Sequence, residues 1–110
     1  MNTQLVYHSP DYLDDVRVTI VGIITEEDKI IKISLGASRC SKDNQFNKKD
    51  GRNRATERAL DNSLKILELN LYKAHWDFDN ILFLFRQLSF GLAKGIIADS
   101  RKVKQSLIIN

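Results

Sequence analysis

The sequence has one cysteine, one proline and five glycines among its 110 residues. The lone cysteine, Cys40, excludes a disulfide framework within the chain, so a reducing compartment is expected. The scarcity of proline and glycine, with 43% hydrophobic and 28% charged residues, argues against a disordered or low-complexity chain. The length predicts a single domain over residues 1–110 with a modest core, which assembly into an oligomer would reinforce.

Long hydrophobic runs are also scarce. The first residues lack the basic start and apolar stretch of a signal peptide. The longest candidate run, ILFLF at residues 81–85, has about a quarter of the length that a membrane span needs. The sequence therefore predicts a cytoplasmic protein without a membrane partner.

Motifs that carry catalysis or bind metals are missing. His8 and His75 do not lie in a metal-ligand spacing such as HExxH or CxxC. No GxGxxG, Walker A or GxSxG motif occurs, and the carboxylates form no convincing acid pair. We expect no enzymatic activity, no metal and no cofactor, which disfavours a hydrolase of signalling nucleotides.

The N-terminal third has the alternation typical of strands. Gln4–His8 predicts an edge strand, and the β-branched stretch Val16–Thr25 (VRVTIVGIIT) predicts a second strand. Lys29–Ser38 again alternates apolar and polar residues after the polar turn at residues 26–28. The last two strands should therefore form an antiparallel hairpin.

Two helix starts are predicted after this hairpin. Ser41 is a plausible N-cap for a short helical turn over Lys42–Lys48. Asp50 is a plausible N-cap for a longer helix that runs to about Asn62.

The longer helix carries two stripes at four-residue spacing. Gly51, Ala55 and Ala59 form a stripe of small residues, which predicts close packing against the sheet or a partner helix. Arg54 and Arg58 form a neighbouring stripe of positive charge.

The C-terminal half predicts one further strand and a helix. Lys65–Tyr72 alternates as a strand does, and Trp76–Leu92 has apolar residues at helical spacing with Asp77 as a possible cap. This helix is apolar on more than one side, which favours a homo-oligomer, a dimer or higher. Lys94–Ile97 is expected to be a break, and Ser100–Ile109 a last helix or an edge strand. The predicted fold class is α+β: a small antiparallel sheet, made of the N-terminal hairpin plus a further strand, packed with two or three helices.

Positive charge is concentrated in residues 36–59. This stretch has a net charge of +4, whereas the whole chain has +3. Its basic residues are Arg39, Lys42, Lys48, Lys49, Arg52, Arg54 and Arg58. Such a concentration next to expected helix starts predicts an anion-binding site, and the alternative is a solvated helix face that keeps the protein soluble.

The residue types in this stretch suit a phosphorylated nucleotide. Guanidinium groups bind phosphate in a bidentate way, amides read a ribose or a base edge, and an aromatic ring stacks on the base. The predicted ligand-binding residues are Arg39, Lys42, Asn44, Phe46, Arg52, Arg54, Arg58 and Trp76. The alternative function is a small basic nucleic-acid-binding protein, which the low overall charge disfavours.

The stretch SRCSKDNQFNKKDGRNRATERA, from Ser38 to Ala59, resembles a motif of the Thoeris anti-defence sponge proteins of phages. The resemblance covers about a fifth of the chain. It implies a protein that binds cyclic ADP-ribose signals of bacterial immunity, or cyclic di- or trinucleotides, and silences the effector without cleaving the signal. It also implies ligand contacts at Arg39, Arg52 and Arg58, sites at the junctions of symmetric oligomers, and action in the cytoplasm of an infected bacterial host.

Overall fold

A computed structural model describes the backbone of residues 2–9, 16–41 and 47–109, with side chains for residues 3–9, 16–40 and 47–98. The elements in chain order are strands β1 (Asn2–His8), β2 (Val16–Glu27) and β3 (Ile30–Ser41), helix α1 (Lys48–Leu60), strand β4 (Leu67–Tyr72), a 3-10 turn (Lys73–His75) and helix α2 (Phe78–Ile109). The predicted α+β class is confirmed.

The strands form one antiparallel sheet in the order β1-β2-β3-β4. The predicted hairpin is confirmed, since β2 and β3 pair from Val16↔Ser41 to Glu27↔Ile30. Asp28 in the connecting turn has a φ of 54°. Asp tolerates this left-handed conformation, which a tight hairpin turn requires. The predicted edge strand at residues 4–8 is confirmed as β1.

The two helices cover opposite faces of the sheet. The larger core lies between the sheet and α2, where Val18, Ile20 and Leu35 belong to the same cluster of buried residues as Phe85. The smaller core joins Val21 and Ile23 on the other face to two alanines of α1. Alternation along β2 therefore separates two apolar faces, which explains why this strand has so few polar residues.

Helix α1 begins earlier than the sequence predicts. The Oδ1 atom of Asn47 accepts hydrogen bonds from the backbone N–H groups of Lys49 at 2.9 Å and Asp50 at 3.3 Å. Asn47 is thus the N-cap, and the prediction that Asp50 caps this helix is wrong. Asp50 lies in the first turn, where a carboxylate interacts favourably with the helix dipole. Ser41 ends β3, and the rest of its predicted helical turn at residues 42–46 lies outside the described residues.

The small-residue stripe of α1 packs on the sheet, as predicted. Ala55 and Ala59 are fully buried, and Gly51 lies beside the Thr19 side chain. Opposite them, a Cβ atom added to Gly36 would be 2.3 Å from both the Ala55 oxygen and the Ala59 nitrogen. Only glycine at this position of β3 lets the helix backbone approach so closely.

Helix α2 begins at its predicted cap. The Asn80 N–H donates to Oδ1 of Asp77 at 2.8 Å, and the Ile81 N–H donates to the Asp77 carbonyl oxygen at 3.1 Å. The predicted break at Lys94–Ile97 is wrong, because the helix continues through Gly95 to Ile109. Buried residues on both sides of that glycine, among them Ala93 at 3% exposure, hold the helix on the sheet. The stretch predicted as a last helix or an edge strand is therefore the end of α2.

The continuity of α2 also corrects the expectation that the chain has no apolar stretch long enough to cross a membrane. Phe78–Ala98 has a mean hydropathy of 1.5 and is long and apolar enough to cross a membrane, judged by length and composition only. The prediction that no stretch approaches this length is wrong, because it counted unbroken runs and not the whole helix. Core helices of soluble proteins meet the same criterion, and one face of this helix packs on the sheet.

Candidate anion-binding site

The candidate site lies where β3 extends beyond β4. The two strands pair from Ile30↔Tyr72 to Leu35↔Leu67, and the Ile66 N–H donates to the Leu35 oxygen at 2.8 Å. Carbonyl groups two residues apart on a strand point to the same side. The Ala37 oxygen therefore faces the same edge of the sheet as the Leu35 oxygen, but past the start of β4.

Arg58 of α1 fills the next position along this edge. Its Nη1 atom donates a 2.7 Å hydrogen bond to the Ala37 carbonyl oxygen. The close packing of α1 on Gly36 brings the last turn of the helix to the edge. One of the five N–H donors of the guanidinium is used in this way, and the bond fixes the direction of the others.

Arg39 approaches the same place from the other face of the sheet. It pairs with Val18, and paired residues in an antiparallel sheet project to the same face, here the face that α2 covers. Arg39 and Arg58 both line one hollow of about 280 Å³, which we call the arginine hollow. Its lining residues are Ala37, Ser38, Arg39, Arg58, Leu64, Ile66 and Ile96.

One wall of the arginine hollow is apolar and accessible. Leu64 is 53% exposed and Ile66 40% exposed, and both precede β4. Ile96 of α2 contributes from the opposite side. Two guanidinium groups next to apolar surface suit a ligand that carries phosphate at one end and a base or sugar at the other.

Arg52 points to the other flank of α1. It is six residues before Arg58, so the two side chains leave the helix about 120° apart. It lies close enough to His8 to influence that ring, and it does not line the arginine hollow. Arg54 is exposed on the turn before Arg58 and is also outside the lining residues.

A second group of positive charges surrounds His8. We call His8, Arg17, Lys48 and Arg52 the histidine cluster. Burial lowers the pKa of His8 most strongly, and the nearby positive charges of Lys48, Arg17 and Arg52 lower it further. The His8 ring also has its Nδ1 atom 2.9 Å from the Thr19 hydroxyl. The Arg17 Nε donates to the Ser9 carbonyl oxygen at 3.0 Å.

The remaining predicted site residues are not brought to the arginine hollow within the described part of one chain. Trp76 follows the turn after β4, at the end of the sheet where Tyr72 pairs with Ile30, and packs against the main core. Lys42, Asn44 and Phe46 lie outside the described residues. A ligand in the arginine hollow therefore cannot stack on Trp76 of the same chain.

The described residues contain no group of three or more His, Cys, Asp or Glu side chains that could hold a metal ion. A second hollow of about 430 Å³ lies at the opposite end of the sheet from Arg39, lined by Asp28, Lys29, Tyr72, Lys73 and Ala74. The Lys73 ammonium is paired with Glu26 at 3.1 Å, and the Asp28 carboxylate adds negative charge to the lining.

Comparison of the chain with protein families, curated proteins and solved structures found no match. The candidate site is therefore defined by its own geometry and by the sequence pattern.

Sequence reasoning missed the apolar wall and most of the histidine cluster. The sequence predicts Ile66 to lie inside the strand Lys65–Tyr72, whereas β4 begins at Leu67, and it assigns no role to Leu64. Ile96 was placed in a break. Arg17 comes near His8 through the pairing of β1 with β2, and Lys48 through the packing of α1. Neither proximity can be predicted from the spacing of these residues in the sequence.

Proposed function

We propose that this protein binds a cyclic nucleotide through its phosphate groups in the arginine hollow and sequesters it without cleavage. The observation that carries the proposal is that Arg39 of β3 and Arg58 of α1 line one hollow from opposite faces of the sheet. Guanidinium groups from two elements can bind the two oxygens of a phosphate, or two neighbouring phosphates, in fixed directions.

The resemblance of residues 38–59 to the Thoeris anti-defence sponge proteins supplies the ligand class. Both hollow-lining arginines fall within that stretch. We therefore propose a phage protein that captures cyclic ADP-ribose isomers, or cyclic oligonucleotides, in the cytoplasm of an infected bacterial host. Depletion of the signal would leave the immune effector inactive.

The size of the hollow supports a site completed by a second copy of the chain. Small-molecule sites usually have about 300–1,000 Å³ and bury most of the ligand, whereas the arginine hollow has about 280 Å³. Tight sequestration requires enclosure, because exposed phosphate contacts are weakened by water and salt. The exposed Leu64 and Ile66 at its rim are suitable surface for a neighbouring subunit or for the base of the ligand.

The proposal is tested by measuring whether the protein retains a cyclic nucleotide and releases it intact when it is denatured. Purified protein is incubated with cyclic ADP-ribose isomers and cyclic di- and trinucleotides, freed of unbound ligand and then heat-denatured. We expect one compound to be retained and released intact, as identified by mass spectrometry. Retention of none, or recovery of a cleaved product only, would contradict sequestration.

Nucleic-acid binding is the second candidate, favoured by the basic exposed surface of α1. Lys48, Lys49, Arg52 and Arg54 are all exposed on this helix. Binding to long DNA or RNA through the phosphate backbone weakens steeply as salt concentration rises. A steep salt dependence with long polymers, and no retention of cyclic nucleotides, would favour this second function.

A further inference from the structure

Helix α2 presents a second face that the sheet does not cover. Phe83 is 66% exposed and Phe90 49% exposed. Asp79, Arg86 and Lys94 are exposed on the same helix. Helical geometry places these five residues within about 80° of one another around the axis, on the side away from the buried Phe85. We call these five residues the outer face of α2.

The order of charges along the outer face is complementary to itself in one orientation. A two-fold axis between Arg86 and Gln87 would bring Phe83 of one copy opposite Phe90 of the other, because both are equally far from the midpoint. The same axis brings Asp79 opposite Lys94. Arg86 lies opposite Gln87 but close to Arg86 of the second copy, so the two guanidinium groups must diverge from the axis and the attraction comes from the two ends. A parallel pairing would instead bring Asp79 against Asp79 and Lys94 against Lys94, which repel.

A lipid bilayer fits this face less well than a second copy does. Although Phe78–Ala98 is apolar enough to span a membrane, Arg86 lies in the middle of that stretch, where a charge is costly in hydrocarbon. Lys94 lies 4.3 Å from the centroid of the Phe90 ring, so the charge already covers part of the aromatic surface. At an interface between two helices, such a lysine can contact the ring and an opposing carboxylate together.

We propose that the outer face of α2 pairs antiparallel with the outer face of a second copy, with Phe83 packed against Phe90 and Asp79 paired with Lys94 at both ends. The occupant is thus another copy of this chain. The pairing rests on the charge order and exposure of α2 alone, so it stands or fails separately from ligand binding in the arginine hollow.

The test uses charge reversal and measures mass by light scattering and sedimentation. The wild-type protein without ligand is expected to be a dimer or a larger assembly that contains this dimer. Asp79→Lys and Lys94→Asp should each raise the dimer dissociation constant at least tenfold, because each creates two like-charge pairs. The double variant should restore the dimer, and an equimolar mixture of the two single variants should form a mixed dimer. Glu57→Lys, exposed on α1 at the other face of the sheet, is the matched control and should change nothing.

Thermal melts followed by circular dichroism check that each variant folds. A monomeric wild type, or a dimer that all charge reversals leave unchanged, would overturn the proposal. Co-sedimentation of the wild-type protein with phosphatidylcholine vesicles, lost in Phe83→Glu, would assign the outer face to a bilayer and also overturn it. Weakening of the dimer in each single variant, with recovery in the double variant, would establish the antiparallel pairing, because a parallel pair brings like charges together at both ends in all four proteins.

Discussion

The Nη1 atom of Arg58 donates a 2.7 Å hydrogen bond to the Ala37 carbonyl oxygen. Ala37 lies two residues after Leu35, whose carbonyl oxygen accepts a hydrogen bond from Ile66 just before β4. A helix side chain thus takes the place of a strand partner at the edge of the sheet. Because the bond holds the guanidinium against the strand, its remaining donors have fixed directions before any ligand arrives. Such preorganisation lowers the entropic cost of binding.

Replacing Arg58 by lysine should separate charge from geometry. Arg58→Lys keeps the positive charge but loses the planar pair of donors, so affinity for the retained nucleotide should fall about tenfold. Calorimetric titration measures this loss. Lys73→Ala removes an exposed positive charge at the opposite end of the sheet and should leave affinity unchanged. Unchanged affinity in Arg58→Lys together with a loss in Lys73→Ala would mean that only overall charge matters.

The contact of Gly36 with α1 should be decisive for stability. Gly36→Ala places a methyl group against the helix backbone, which cannot shift independently, and should lower the free energy of unfolding by about 3 kcal/mol. Gly95→Ala is the matched control, because an added Cβ there meets no atom within 4 Å apart from the neighbouring backbone of its own helix. It should raise the free energy of unfolding by about 1 kcal/mol through helix propensity. Chemical denaturation measures both, and a harmless Gly36→Ala would contradict the described packing.

The N-cap of α1 should contribute measurably. Asn47→Ala removes the acceptor of two backbone N–H groups and should lower the free energy of unfolding by about 1 kcal/mol. Asn53→Ala, at an exposed position inside the same helix, should be neutral or slightly stabilising because alanine is the better helix former. If the two variants behaved alike in urea denaturation, Asn47 would not be the cap.

His8 should make stability depend on pH. Its pKa is lowered in the folded protein by burial first and then by Lys48, Arg17 and Arg52. Between that lowered pKa and the ordinary value of 6.5 the unfolded chain binds more protons, so stability should fall as pH drops through this window. The fall attributable to His8 is the part that disappears in His8→Gln, measured by denaturation at several pH values.

The same histidine reports on where a ligand binds. Arg52→Ala removes one of the repelling charges and should raise the His8 pKa measured by NMR, whereas Arg54→Ala should leave it unchanged. A nucleotide in the arginine hollow should not alter the His8 pKa, because Arg39 and Arg58 are not among the charges acting on it. A raised pKa on ligand addition would place the phosphate at the histidine cluster instead.

Much of the sheet could be predicted from the sequence, since alternation in Val16–Thr25 and Lys29–Ser38 is a local property. The cap of α1 could not, because Asn47 and Asp50 have the same intrinsic preference for that position. The passage of α2 through Gly95 depends on the burial of Ala93 and Ile97 against the sheet, which is a tertiary effect.

The arginines illustrate what the sequence could and could not predict about the site. The charged stretch predicts Arg39 and Arg58 in one site, and the structure brings both to one hollow. The same stretch predicts Arg52 in that site. Helical periodicity already separates it from Arg58, and counting residues around α1 would have predicted two flanks instead of one.

The central claim is that Arg39 and Arg58 bind the same ligand in one hollow. The most direct measurement is a double-mutant cycle, with affinity for the retained cyclic nucleotide determined by calorimetry for Arg39→Ala, Arg58→Ala and the double variant. Each single variant should lose about 10- to 100-fold in affinity, and the double variant should lose less than the product of the two, because both side chains contact one phosphate group or two adjacent ones. Unchanged affinity in either single variant, with the protein still folded, would contradict the account.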